Sequence, residues 1–192
     1  MSTTADLFSP AVDAHAFLRQ VTESTHQRLH SLPQFQAVEE AKLSLQAYSA
    51  LLQALHAYHA AIIAAATCNS LLGLSSSPRR VAMLESDLTS LGTPVRATVN
   101  QFAVSSRAAA FGAVYVAEGS ALGGRVIARR LDYLFGCDSA GRTFFQGDEL
   151  TSRSWRRFLA ALSDQCGDPA LFPALQEGAE ASFALFEACV NP

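Results

Sequence analysis

Tyr115-Val116-Ala117-Glu118-Gly119-Ser120-Ala121-Leu122-Gly123-Gly124-Arg125-Val126-Ile127 lies inside a long stretch that opens with the alanine run Ala108-Ala109-Ala110. Its apolar positions recur at helical spacing, and nothing in it alternates as a half-buried strand would. Glycine is out of place there. Each interior glycine costs roughly 1 kcal/mol relative to alanine, so Gly119, Gly123 and Gly124 together cost about 3 kcal/mol against a net stability of about 5 to 15 kcal/mol. On a wheel of about 100° per residue, Gly112, Gly119 and Gly123 fall within about 40° of one another, which makes a stripe of bare backbone. Two explanations fit: close packing of helices through small residues, or a flat ligand lying on a helix that bends as the ligand comes and goes.

The helical pattern continues on both sides. Alanine is abundant and β-branched runs are nearly absent, which predicts an all-α fold. Helices are expected over 13–30, 43–68, 78–91, 95–104, 106–135, 149–165 and 169–189. Turn residues separate them at Ser31-Leu32-Pro33, from Gly73 to Pro78, at Gly92-Thr93-Pro94, from Gly136 to Gly141 and at Gly167-Asp168-Pro169. None of these breaks is long enough for an interdomain linker, and 192 residues suit one domain. Residues 1–12 are expected to form a disordered tail and 13–192 the domain.

Composition narrows the function classes. The chain is 49% hydrophobic and 16% charged, against about 25% charged residues in ordinary soluble domains, which excludes a disordered chain. A net charge of -3 gives no reason to expect a nucleic-acid or membrane partner. The segment Met1 to Pro10 lacks the features of a signal peptide, and the longest apolar run, Ala108 to Ala117, is too short to span a bilayer. A cytoplasmic location is expected. Cys68, Cys137, Cys166 and Cys189 form no CxxC pair, so free, mostly buried thiols are expected.

All five histidines, His15, His26, His30, His56 and His59, fall in the first third of the chain. On the first helix Phe17, Leu18, Val21, Thr25 and Leu29 make the apolar face, and His26 sits at its edge beside Thr22. Arg19 lies on nearly the same line about 10 Å away at 1.5 Å per residue. A planar ligand held by one atom at His26 could present an acidic edge to Arg19; a half-exposed histidine and a solvated arginine fit the same pattern. His26 with His30, or His56 with His59, has the spacing to chelate a metal, but no third ligand is evident.

Taken together these segments resemble a known family. Leu18-Arg19, Thr22, His26 and Leu29 match the LR..T...H..L pattern that opens heme oxygenases, and Glu118 to Gly124 matches the EGS.LGG pattern of the bacterial, biliverdin-producing branch. Arg80, Leu84, Glu85, Asp87 and Leu88 resemble the R...LE.DL segment, and Phe144-Phe145, Trp155, Phe158, Phe183 and Phe186 fall at aromatic positions of that family.

The resemblance implies an all-α fold that holds heme b between a proximal helix, with His26 as the iron ligand, and a kinked distal helix. Heme is then cofactor and substrate together. Its ring is opened to biliverdin with release of carbon monoxide and ferrous iron, at the expense of oxygen and electrons from an external donor such as a ferredoxin or a flavin-containing reductase. Gly119, Ser120 and Gly123 are expected to form the distal oxygen and water pocket, with Glu118 as a further water holder. Arg19, Thr22, Gly124, Arg156 and Phe183 are expected against the heme. Arg125, Arg129 and Arg130 read either as a docking surface for an acidic donor or as solvated helix charge, and a bacteriophytochrome is a candidate acceptor of the biliverdin. Two positions depart from the wider pattern: Ser120 stands where animal enzymes carry an aspartate, and His30 where a glutamate often orients the ligand.

Readings of other classes are a non-catalytic heme-binding carrier or sensor, a thiamin-fragment hydrolase and a diiron oxidase. The last would use Glu23 and His26 as one Glu-x-x-His pair, and the chain has no second.

Overall fold

A computed structural model describes residues 13–96, 102–136 and 138–191. The expected tail at 1–12 and most of the helix expected over 95–104 lie outside the described residues.

The described chain is helical: α1 Ala14–His30, α2 Pro33–Glu39, α3 Leu45–Cys68, α4 Ser77–Ser90, α5 Arg107–Arg130, α6 Asp132–Phe135, α7 Thr143–Gln146, α8 Leu150–Cys166 and α9 Phe172–Val190. Side chains cap α1, α3 and α5 at their starts. Asp13 accepts from the Ala16 N–H at 2.7 Å, Ser44 from Ala47 at 3.1 Å and Ser106 from Ala109 at 3.1 Å, each satisfying a donor that the first turn leaves over.

Three details differ from the expected elements. Helix α2 occupies a stretch read as a break, because Pro33 stands at a helix start, where its missing N–H costs nothing. The described flanks of the expected 95–104 helix, 95–96 and 102–104, are not helical. The expected 106–135 helix is interrupted at Leu131, after which α6 adds one turn; α5 itself runs unbroken through its glycines.

The core is built on α3, whose Tyr48, Leu51, Leu52, Leu55, Tyr58, Ile62 and Ala66 are buried. By length and composition alone α3 could cross a bilayer, but its apolar side chains are spent on packing against α4, α5 and α9. Helices α5 and α9 lie closest together. A Cβ on Gly112 would sit 1.9 Å from the Leu175 carbonyl oxygen, and one on Gly178 would sit 1.8 Å from that of Ala109. Each backbone therefore occupies the place of the other's missing side chain. Among the described thiols Cys68 is exposed, Cys166 buried and Cys189 half-buried, so burial is not their common feature; Cys137 lies outside the described residues.

A buried polar network ties α4 to this core. The fully buried His59 bonds Ser77 through Nδ1 at 3.0 Å, and Arg80 donates its Nε–H to His59 Nε2 at 3.1 Å. Accepting at Nε2 requires a neutral ring, and burial followed by the Arg80 charge holds the His59 pKa well below its ordinary value. Burial also pulls the Arg80 guanidinium down to about 10, with Glu118 opposing. Asp87 accepts from Thr143 N and Oγ1 at 2.8 Å and from Phe144 N at 2.9 Å. That carboxylate anchors α7 beneath α5.

Candidate heme site

Helix α1 buries only Ala14, Leu18 and Thr22, so the rest of its surface is open to other uses. Arg19, His26 and His30 are exposed. The His26 and His30 rings meet edge-on, with centroids 5.0 Å apart and planes at 84°. Thr22 donates its hydroxyl to the Leu18 carbonyl at 2.7 Å and lies beside the Tyr115 phenol. Burial raises the Tyr115 pKa, and Arg19 and Thr22 oppose that rise.

Tyr115 is thus the link between α1 and α5. Its ring lies 6.0 Å from that of His15 and 5.5 Å from that of Trp155, and His15 and Trp155 are 5.9 Å apart. Next to this aromatic group a groove of about 460 Å³ runs along α1, lined by Asp13, His15, Ala16, Arg19, Gln20 and Glu23. Neither His15 nor Tyr115 was expected in the site. Their spacing carries the signal: His15 precedes Arg19 by one turn and Tyr115 precedes Gly119 by one turn, so each shares a helix face with an expected residue.

Along α5 the stripe of glycines divides. Gly112 faces α9. A Cβ on Gly119 would meet the Trp155 ring at 3.8 Å, an ordinary contact, and one on Gly123 would meet nothing within 4 Å. Gly124 turns the other way: its Cβ would sit 2.7 Å from the Phe145 carbonyl oxygen, so its missing side chain admits α7. Ser120 is exposed and donates its hydroxyl to the Ala117 carbonyl at 2.8 Å. That proton is committed to the helix, which leaves the oxygen to accept from a water.

Glu118 departs from its expected place at the distal pocket. It is buried on the opposite face of α5, where it accepts from the Ser76 N–H at 2.6 Å and the Ser76 hydroxyl at 2.9 Å. Burial raises its pKa, against those hydrogen bonds and the charges of Arg80 and Arg79.

Two further expected residues stand apart from the α1–α5 contact. Arg156 is exposed, with its Nε reaching the Ser152 carbonyl at 3.4 Å on its own helix. Phe183 is buried on α9, and its ring meets no other ring among the described residues.

The arrangement offers an exposed imidazole at one turn beyond Thr22, and bare helix backbone at one turn beyond Tyr115. An aromatic group of His15, Tyr115 and Trp155 joins the two helices, with the Arg19 guanidinium near Tyr115. Aromatic rings, a guanidinium and an exposed imidazole are the side-chain types that a flat ligand with an acidic rim and a central metal would use. The family model described as heme oxygenase matches residues 13–192. A protein of Xanthomonas campestris pv. campestris (strain 8004) named "Heme oxygenase" is 42% identical over 112 residues, which cover 58% of this chain and 67% of that protein. The chain belongs to the heme oxygenase family.

Proposed function

We infer that the chain cleaves heme to biliverdin, carbon monoxide and ferrous iron on a site built by α1 and α5. The observation that carries the placement is the division of the glycine stripe: the space above Gly123 is open and that above Gly119 is bounded by an aromatic ring, where packing alone would have closed both.

Bound heme supplies the iron at which oxygen is activated, and its own ring is the substrate. His26, exposed on α1, would hold the iron through a neutral ring nitrogen. Arg19, with the Tyr115 hydroxyl beside it, holds a propionate by a charge-assisted bond. Gly119 and Gly123 carry no side chain, so the backbone of α5 there would lie directly against the bound ring. Ser120 gives its hydroxyl hydrogen to the Ala117 carbonyl, so its oxygen would accept from a water that delivers protons. Trp155 and Tyr115 wall off one side of the slot. Electrons come from an external ferredoxin or flavin-containing reductase, and a bacteriophytochrome is a chemically suited acceptor of the bilin.

The test is hemin titration followed by turnover with a ferredoxin couple and oxygen. Wild type is expected to bind one hemin and lose its Soret band as bilin accumulates, and His26→Ala to lose the native five- or six-coordinate spectrum and at least about tenfold in activity. A Soret band that survives prolonged reduction in air would make the chain a carrier. An unchanged spectrum in His26→Ala would remove His26 as the ligand.

A further inference from the structure

The N-terminal end of α4 and the outer face of α8 enclose a second groove of about 410 Å³, lined by Ser75, Ser76, Arg79, Arg153, Ser154 and Arg157. It faces away from Trp155, which points from the other side of α8 toward α5. No carboxylate lines it. Arg79 is paired with Asp148, while Arg153 and Arg157 have no hydrogen-bond or ion-pair partner among the described residues. These two stand one turn apart on the same helix face, where like charges repel. Three guanidinium groups less the one Asp148 carboxylate leave two positive charges at the groove, in a chain whose net charge is -3.

The end of α4 adds little of its own, because Glu118 already takes the Ser76 N–H and hydroxyl. The available donors are the arginine forks and the Ser75 and Ser154 hydroxyls. We propose that this groove binds a phosphate dianion, free or as the phosphomonoester of a small molecule. A phosphomonoester carries about -1.5 to -2 charge near pH 7, which matches the surplus, and its oxygens accept from several forks at once where one carboxylate serves a single fork. The volume lies within the about 300–1,000 Å³ of small-ligand sites and leaves room for an organic body beside the phosphate. Ser76 belongs to both this groove and the Glu118 contact, so the site shares a wall with the distal helix one residue before Gly119. The proposal is independent of the role given to His26.

Calorimetric titration of the full chain at low ionic strength with inorganic phosphate, and separately with ribose 5-phosphate, tests it. Saturable binding at one site is expected, weakened about tenfold or more in Arg153→Ala/Arg157→Ala. The control pair Arg129→Ala/Arg130→Ala makes the same charge change on α5 and is expected to leave it nearly unaltered. Tighter binding of ribose 5-phosphate assigns the remaining space to an organic body, and equal binding assigns the site to free phosphate. Should the alanine pair misfold by circular dichroism, Arg153→Lys/Arg157→Lys keeps the charge, removes the forks and is expected to weaken binding severalfold. Absence of saturable binding, equal losses in the α8 and α5 pairs, or saturation by a polyglutamate peptide but not by phosphate would each overturn the proposal.

Discussion

The two halves of α5 are one helix with opposite surroundings. Up to Glu118 nearly every residue is buried: Ala108 to Val114, Ala117 and Glu118 are covered, in a helix that packs chiefly on α9 and α8. Beyond it only Gly124 and Ala128 are, and Leu122 and Val126 are 49% and 53% exposed. Glycine does different work in the two halves. Gly112 is required because another backbone fills its side-chain position; at Gly123 nothing fills it. In the first half the conformational cost of glycine is offset by packing within the protein. At Gly123 it is left without return unless something outside the chain packs there.

The largest effect that would sharpen this contrast is Gly112→Ala. The new Cβ would fall 1.9 Å from the Leu175 carbonyl oxygen, which only separation of α5 from α9 relieves, so a loss of about 3 kcal/mol or more is expected. For a chain of this size that lowers Tm by roughly 6–12 °C. Gly178→Ala, the reciprocal contact, is expected to match it. Thermal denaturation within about 1 °C of wild type for either variant would show that the two helices are free to separate, and the contrast would fail.

Much of this was legible in the sequence, and the failures have physical causes. Alanine content and apolar spacing place α1, α3, α4, α8 and α9 within a few residues. Helix α2 is not legible because the proline of Ser31-Leu32-Pro33 reads equally as a stop or as a first turn. The glycine stripe was found by angle, but an angle names a face of one helix and not what lies opposite. Gly112, Gly119 and Gly123 share a face yet meet a backbone, a ring and open space. Glu118 was drawn toward the pocket by its place beside Gly119, although one residue turns a helix by about 100° and sends its carboxylate to Ser76 instead. Of the expected heme-contact residues, Arg19 and Thr22 lie beside Tyr115 of α5, while Arg156, expected for its guanidinium, turns its Nε to its own helix and Phe183, expected as an aromatic position, is buried on α9.

A pH titration probes the buried half from another side. His59 is neutral in the native state and its pKa is depressed, while in the unfolded chain it takes a proton near the ordinary value of about 6.5. Below that pH the unfolded state binds a proton that the native state refuses. Stability is therefore full above about 6.5 and falls by about 1.4 kcal/mol per unit as pH drops toward the native pKa. The raised carboxyls of Glu118 and Asp87 act with the opposite sign, their contribution declining as pH rises through their native values. Urea denaturation of wild type and His59→Gln between about pH 7 and 5.5 separates the terms: the variant is expected to be less stable at pH 7 and to lose the His59 slope. Parallel curves would mean that His59 is protonated in the native network, which the Arg80 contact forbids.

The smallest change bears most directly on the open half. Gly123→Ala introduces a methyl group that meets nothing and replaces the poorest ordinary helix former by the best, so the ligand-free chain is expected to gain up to about 1 kcal/mol. If heme lies against this backbone, the same methyl group must stand where the ring or its distal ligand goes, and hemin affinity and bilin yield should fall as Tm rises. That opposition is what distinguishes a ligand surface from an accident of sequence, because a purely structural glycine loses stability on substitution and an idle one gains it at no expense to binding. A variant that is both more stable and undiminished in hemin binding would detach the open half of α5 from the site, leaving the glycine at 123 without a physical reason.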